Sequence, residues 1–135
     1  MKKNLITEEI AEKTVNKWLD HKRVNETKRD GLEDQISAMV TGVMGGVLVL
    51  DEKSFEFTVN LAFGIGEDEA IKVLKVSPRM PVKKVRSYLK GIKPGDGDGR
   101  VASYIGAMTN QVSGVIGEID TEDYGLLSAI AVFFF

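Results

Sequence analysis

The chain has 135 residues, with 18 Lys and Arg against 20 Asp and Glu, one histidine and no cysteine. This length predicts a single domain, residues 1–135, large enough to bury a core of its own. The lack of cysteine excludes disulfides, thiolate catalysis and cysteine-ligated zinc, and a net charge of −2 lacks the electrostatic footprint of a nucleic-acid binder.

Residues 7–28 read as a helix. Thr7 can cap it, Glu8 and Glu9 suit its first turn, and Ile10, Ala11, Val15, Trp18 and Leu19 form one apolar stripe. Asp30-Gly31 breaks the pattern, and a second helix over 32–46 carries Leu32, Ile36, Met39, Val40 and Val43 before Gly45-Gly46 stops it. After the short apolar run Val47–Leu50, the residues Phe55, Phe57, Val59, Leu61 and Phe63 alternate with smaller or polar ones, the period of a strand with one buried face. A turn at Gly64–Asp68 and a second strand over Ala70–Val76 complete an antiparallel hairpin or meander, 47–77.

Pro81 suits the first turn of a helix through Val82, Val85, Leu89 and Ile92. Gly91–Arg100, with four glycines and Pro94, reads as a loop. Helical period resumes over 101–117, and Asp120 or Thr121 caps a last helix through Tyr124, Leu127, Ile130 and Phe134. The fold class expected is α+β: helical 7–46, the β-hairpin or meander of 47–77, and three helices in 81–135.

Chemical motifs are sparse. Gly64-Ile65-Gly66 starts like a dinucleotide loop, but Glu69 occupies the last glycine position. Asp96 and Asp98 resemble the first ligands of a calcium loop, yet Ala107 stands where the bidentate glutamate belongs. One histidine, His21, cannot build a catalytic or metal-binding set, and the carboxylate pairs Glu8/Glu9, Glu33/Asp34 and Glu122/Asp123 sit at helix starts, where the dipole accounts for them. No enzyme activity, cofactor or metal is expected.

The longest apolar runs, Val47–Leu50 and Leu126–Phe135, fall short of the about 20 residues that span a bilayer. Glu8, Glu9 and Glu12 interrupt any signal peptide after Met1-Lys2-Lys3. No membrane or nucleic-acid partner and a cytoplasmic location are expected. What remains is surface for proteins. Residues 81–100 are basic and residues 101–135 contain no Lys or Arg, so Lys83, Lys84 and Arg86 are candidate oligomer contacts for Glu122 and Asp123. The alternative is two solvated faces within one molecule. The terminal Phe133-Phe134-Phe135 either tuck into the core or mark a contact surface.

The C-terminal part has a recognisable order: the hairpin strand Ile71–Val76, Arg79-Met80-Pro81 entering a helix, then Asp120-Thr121-Glu122-Asp123-Tyr124 and a closing Val132-Phe133-Phe134-Phe135. Over residues 55–135 this resembles the tail assembly chaperones of long-tailed bacteriophages. Val82 stands where that family usually has threonine, and Arg79 follows Pro78 in place of a leucine. The resemblance implies a noncatalytic protein of the host cytoplasm. It would bind the tape measure protein, promote assembly of tail tube protein around it, and form homo-oligomers; a permanent tail or baseplate component is the alternative. It also implies a second, longer product made by ribosomal frameshifting, for which the uridine-rich codons of the terminal phenylalanines would serve. Binding would lay an amphipathic helix in an apolar groove. Met39, Val43, Met44, Phe133, Phe134 and Phe135 are the expected docking residues, methionine because it adapts to varied partners.

Overall fold

The computed structural model describes residues 6–135. Helix α1, Glu8–His21, starts at Thr7, whose hydroxyl accepts from the Ile10 N–H at 3.4 Å. Ala11, Val15, Trp18 and Leu19 turn inward as the stripe predicts, whereas Ile10 is 54% exposed at the helix start. The expected helix over 7–28 is two helices. Arg23 adopts a left-handed φ of 58°, and the Asn25 side chain caps α2, Glu26–Gly31, by accepting from the Lys28 N–H at 2.8 Å. Helix α3, Glu33–Met44, buries Met39, Val40, Gly42 and Val43.

Strands β1 (Leu48–Leu50), β2 (Phe57–Ile65) and β3 (Ile71–Val76) form an antiparallel sheet in that order. Phe57 pairs with Val76 and Val59 with Leu74, all four turned into the core. The predicted strand starts too early. Phe55 has a left-handed φ of 56° and stacks on the His21 ring, centroids 4.0 Å apart, outside the sheet. It also runs past its paired stretch: Leu61–Gly64 bulge between the partners Asn60↔Val73 and Ile65↔Ile71, opposite the single residue Lys72. Side-chain carboxylates accept the bulge's main-chain donors. Asp123 takes the Ala62 and Phe63 N–H groups at 2.8 and 2.9 Å, and Glu69 takes that of Gly64 at 2.8 Å. Gly64 has no room for a β-carbon, which would collide with Glu69.

Helix α4, Val82–Leu89, follows Pro81, which stands at the N-cap. The glycine-rich loop is shorter than expected, because α5, Gly97–Thr109, begins inside it. The Asp96 carboxylate caps that helix through the Gly99 N–H at 2.9 Å, a helix-start role for the aspartate of the would-be calcium loop. The helix expected over 101–117 breaks at Asn110, a left-handed C-cap with φ 58°, and resumes as the short α6, Ser113–Ile116. Helix α7, Thr121–Ala131, is capped by Asp120 and runs into a 3-10 turn, Val132–Phe134.

The architecture is mixed α and β: seven α-helices and a three-stranded antiparallel sheet among the described residues. Helices α3, α5 and α7 contact the sheet, and α1 packs on α3. Trp18 sits in the core, its ring centre 5.2 Å from Phe57 and 6.1 Å from Phe133. No helix of the described residues is long and apolar enough to cross a membrane.

Candidate functional site

Strand β3 delivers the chain to Ser77, whose N–H donates to the Met108 carbonyl at 3.0 Å and anchors this exit to α5. Pro78–Pro81 then crosses toward the C-terminal turn. Pro78 and Pro81 have no N–H to give a strand ladder; the chain bends at Pro78, and Pro81, itself extended, opens α4. Two adjoining clefts form there. One, of about 270 Å³, lies among Met80, Val82, Val85, Leu89, Tyr104 and Phe134, with Arg86 at its side. The other, of about 450 Å³, is walled by Lys22, Pro78, Arg79, Pro81 and Phe133 and shares Met80 and Phe134 with the first.

Both clefts mix apolar side chains with polar surface, the second more than the first, and the charged groups are cationic. Val82 is 65% exposed, although it continues the apolar face of α4. Lys22, half-buried, holds its ammonium 3.6 Å from the centre of the Phe134 ring and donates to the Pro78 carbonyl at 2.9 Å. Burial, assisted by the positive charges of Lys28 and Arg79, brings its pKa down from 10.5 to about 8. Among the described residues, no carboxylate lies within 4.0 Å of Lys22, Arg79 or Arg86. Lys28 secures the chain end behind the clefts, donating to the Phe135 main-chain oxygen at 2.9 Å.

The expected docking residues do not share a surface. Met39 and Val43 are buried in α3 against the core, and Met44 is half-buried. The face of α3 that carries them is covered by α1, α7 and β1, so Met39 and Val43 are core residues that offer a partner nothing to touch. The terminal phenylalanines divide. Phe133 is buried edge-on to Trp18, Phe134 is half-buried under Lys22, and Phe135 is 44% exposed beside Tyr104 and Arg100. Of the six, Phe133 and Phe134 reach the clefts, and only Phe134 lines both.

The expected oligomer contacts divide too. Lys83, Arg86 and Glu122 are exposed and Lys84 is half-buried. Asp123 is not available to a second copy: it is 5% exposed and both carboxylate oxygens accept from β2. Its place is internal because an unpaired bulge needs acceptors.

Residues far apart in the chain meet at the clefts. Arg79-Met80-Pro81 and Phe133-Phe134 line one cavity. No protein-family model, no curated protein and no solved structure matches this chain. The clefts are therefore read from their own chemistry. Sequence reasoning missed Lys22, Val82 and Tyr104 as neighbours of Phe134. Val82, an apolar residue directly after a helix-opening proline, was a readable signal; the placement of Lys22 comes from the chain reversal at Arg23 and has none.

A third cleft, of about 370 Å³, lies between α4, α5, α6 and α7 near Tyr88, Ser103, Ile116 and Tyr124. Its polar groups serve the fold. The Ser103 hydroxyl donates to the Gly99 carbonyl at 2.8 Å with the Tyr88 carbonyl 3.0 Å away, and burial together with the Asp98 charge raises the Tyr124 pKa above its usual 10.0. Among the described residues, no three His, Cys, Asp or Glu side chains converge to hold a metal.

Proposed function

We propose that this chain is a noncatalytic tail assembly chaperone of a long-tailed phage, which holds an apolar helical segment of the tape measure protein during tail tube assembly in the host cytoplasm. The observation that carries this reading is the meeting of Arg79-Met80-Pro81 with Phe133-Phe134 around one cleft, in which apolar and cationic side chains alternate. These are segments through which the sequence resembles that family, and the shared cleft gives them a common use. Its walls suit an amphipathic helix laid in a groove. Met80 supplies a side chain that adapts to successive partner residues, as a holder of a long and varied helical protein requires. Exposed Lys83, Arg86 and Glu122 are the charges left to steer copies of the chain, or tube subunits, into register.

The test is co-expression with the long helical tail protein encoded beside it. With this chain present the tail protein should stay soluble and co-purify; Met80→Asp, placing a charge on the shared wall, should return it to the pellet. Recovery of this chain as a stoichiometric part of purified particles would instead assign it to the finished tail or baseplate.

A further inference from the structure

We propose that the clefts at Met80 and Phe134 take a segment of a protein partner that carries carboxylates beside its apolar side chains. This rests on the docking role given to the clefts above and adds the charge of the occupant. The apolar wall alone would accept any amphipathic helix; the cations around it narrow the choice.

Lys22, Arg79 and Arg86 flank the two clefts, and among the described residues none has a carboxylate within 4.0 Å. Elsewhere cations of this chain do find partners: Lys17 meets Glu52 at 2.7 Å, and Arg29 meets Asp20 at 2.7 Å. Other cations, Lys53, Lys72 and Lys90 among them, are likewise without a carboxylate within 4.0 Å among the described residues; what sets the clefts apart is that three such cations border the apolar side chains of Met80, Val82 and Phe134. Lys22 is the informative group. Its ammonium has three donors, and one is taken by the Pro78 carbonyl, the only acceptor it reaches among the described residues.

Folding has already removed part of its water. Its pKa, lowered to about 8 by burial first and by Lys28 and Arg79 next, records that cost and the like-charge crowding. A partner carboxylate would relieve both, and it would meet an ammonium that folding has already partly desolvated. Arg79 and Arg86, exposed at the edges, would raise the association rate and reject segments rimmed with Lys or Arg.

The experiment uses the full chain and two labelled helical peptides of about 20 residues. Both carry leucines at helical spacing; one is bordered by glutamates and the other by glutamines. Fluorescence anisotropy should show the glutamate peptide binding roughly tenfold more tightly, with the preference largely lost in Lys22→Met and in Arg79→Gln. Lys22→Met keeps the buried stem, and Arg79→Gln alters an exposed side chain, so one informative variant remains if the other misfolds.

Equal binding of the two peptides that Met80→Asp abolishes would leave the docking role standing and refute the charge assignment. No binding of either peptide would refute both. Binding indifferent to Met80→Asp would move the site away from these clefts. Concentration-dependent self-association without peptide, abolished by Arg79→Glu, would make a second copy the occupant and end the proposal.

Discussion

The Asp123 carboxylate accepts from the Phe63 main-chain N–H at 2.9 Å, and so joins the first turn of α7 to the bulge of β2. Its other oxygen takes the Ala62 N–H at 2.8 Å. One buried side chain thereby replaces the strand partner that β2 lacks between Asn60 and Ile65. Asp123→Ala leaves two donors without their acceptor and should cost about 2–4 kcal/mol of stability by chemical denaturation. Asp123→Asn keeps a single acceptor and should fall between. Amide exchange at Ala62 and Phe63 should accelerate selectively in the alanine variant; unchanged exchange there would show that the carboxylate does not hold the bulge.

The same strand offers an internal comparison. Phe57 is wholly buried against Trp18 and Phe63 is 51% exposed, although both hold odd positions of one alternating run. Phe57→Ala should cost about 3–5 kcal/mol. Phe63→Ala should stay within about 0.5 kcal/mol. Equal melting temperatures for the two variants would contradict this facing.

Gly106 gives the Tyr88 ring its place. A β-carbon there would lie 2.8 Å from Tyr88 Cε1 and 3.0 Å from the Gln111 carbonyl oxygen. The ring can shift but the carbonyl belongs to the α5 C-terminal turn, so Gly106→Ala should destabilise by about 1–3 kcal/mol. A thermal scan showing stabilisation, the usual result of Gly→Ala in an open helix, would mean that α4 and α5 adjust freely.

Lys22 sets a pH dependence. The folded chain releases its proton near pH 8, whereas the unfolded chain holds it to about 10.5. Between those values the unfolded state binds more protons, so this residue makes stability rise with pH. Below that window the fold carries the full cost of the buried ammonium. Denaturant midpoints measured from about pH 7.5 to 9.5 should climb less in Lys22→Met than in the parent chain. Parallel curves would assign the climb to other groups.

Much of the fold was legible where local signals agreed. The Phe57–Val59 alternation, the Thr7 and Asp120 caps, and the apolar face of α4 appear where the sequence puts them. Misreadings cluster where one residue changes the backbone's hand. Arg23 splits the helix expected over 7–28 and Asn110 the one expected over 101–117, and the asparagine, a residue that tolerates left-handed geometry, could have been read. Phe55 could not, because a bulky side chain at positive φ opposes its own preference and is held there by the turn around Asp51 and by His21. The candidate site was half legible. Its two chain segments were singled out, but apolar character alone could not separate Met39 and Val43, which the core consumes, from Met80 and Val82, which it leaves outside.

Phe133 rests on Trp18, and Lys28 grips the main chain of a residue 107 positions later. During synthesis the first helix therefore leaves the ribosome long before its covering exists, with its indole and aliphatic stripe wet. The last turn must itself clear the exit tunnel before the core can close. Until then the nascent chain exposes apolar surface that holdase chaperones recognise, and a substitution at Phe133 should lower the yield of soluble protein more than its effect on the finished fold would suggest.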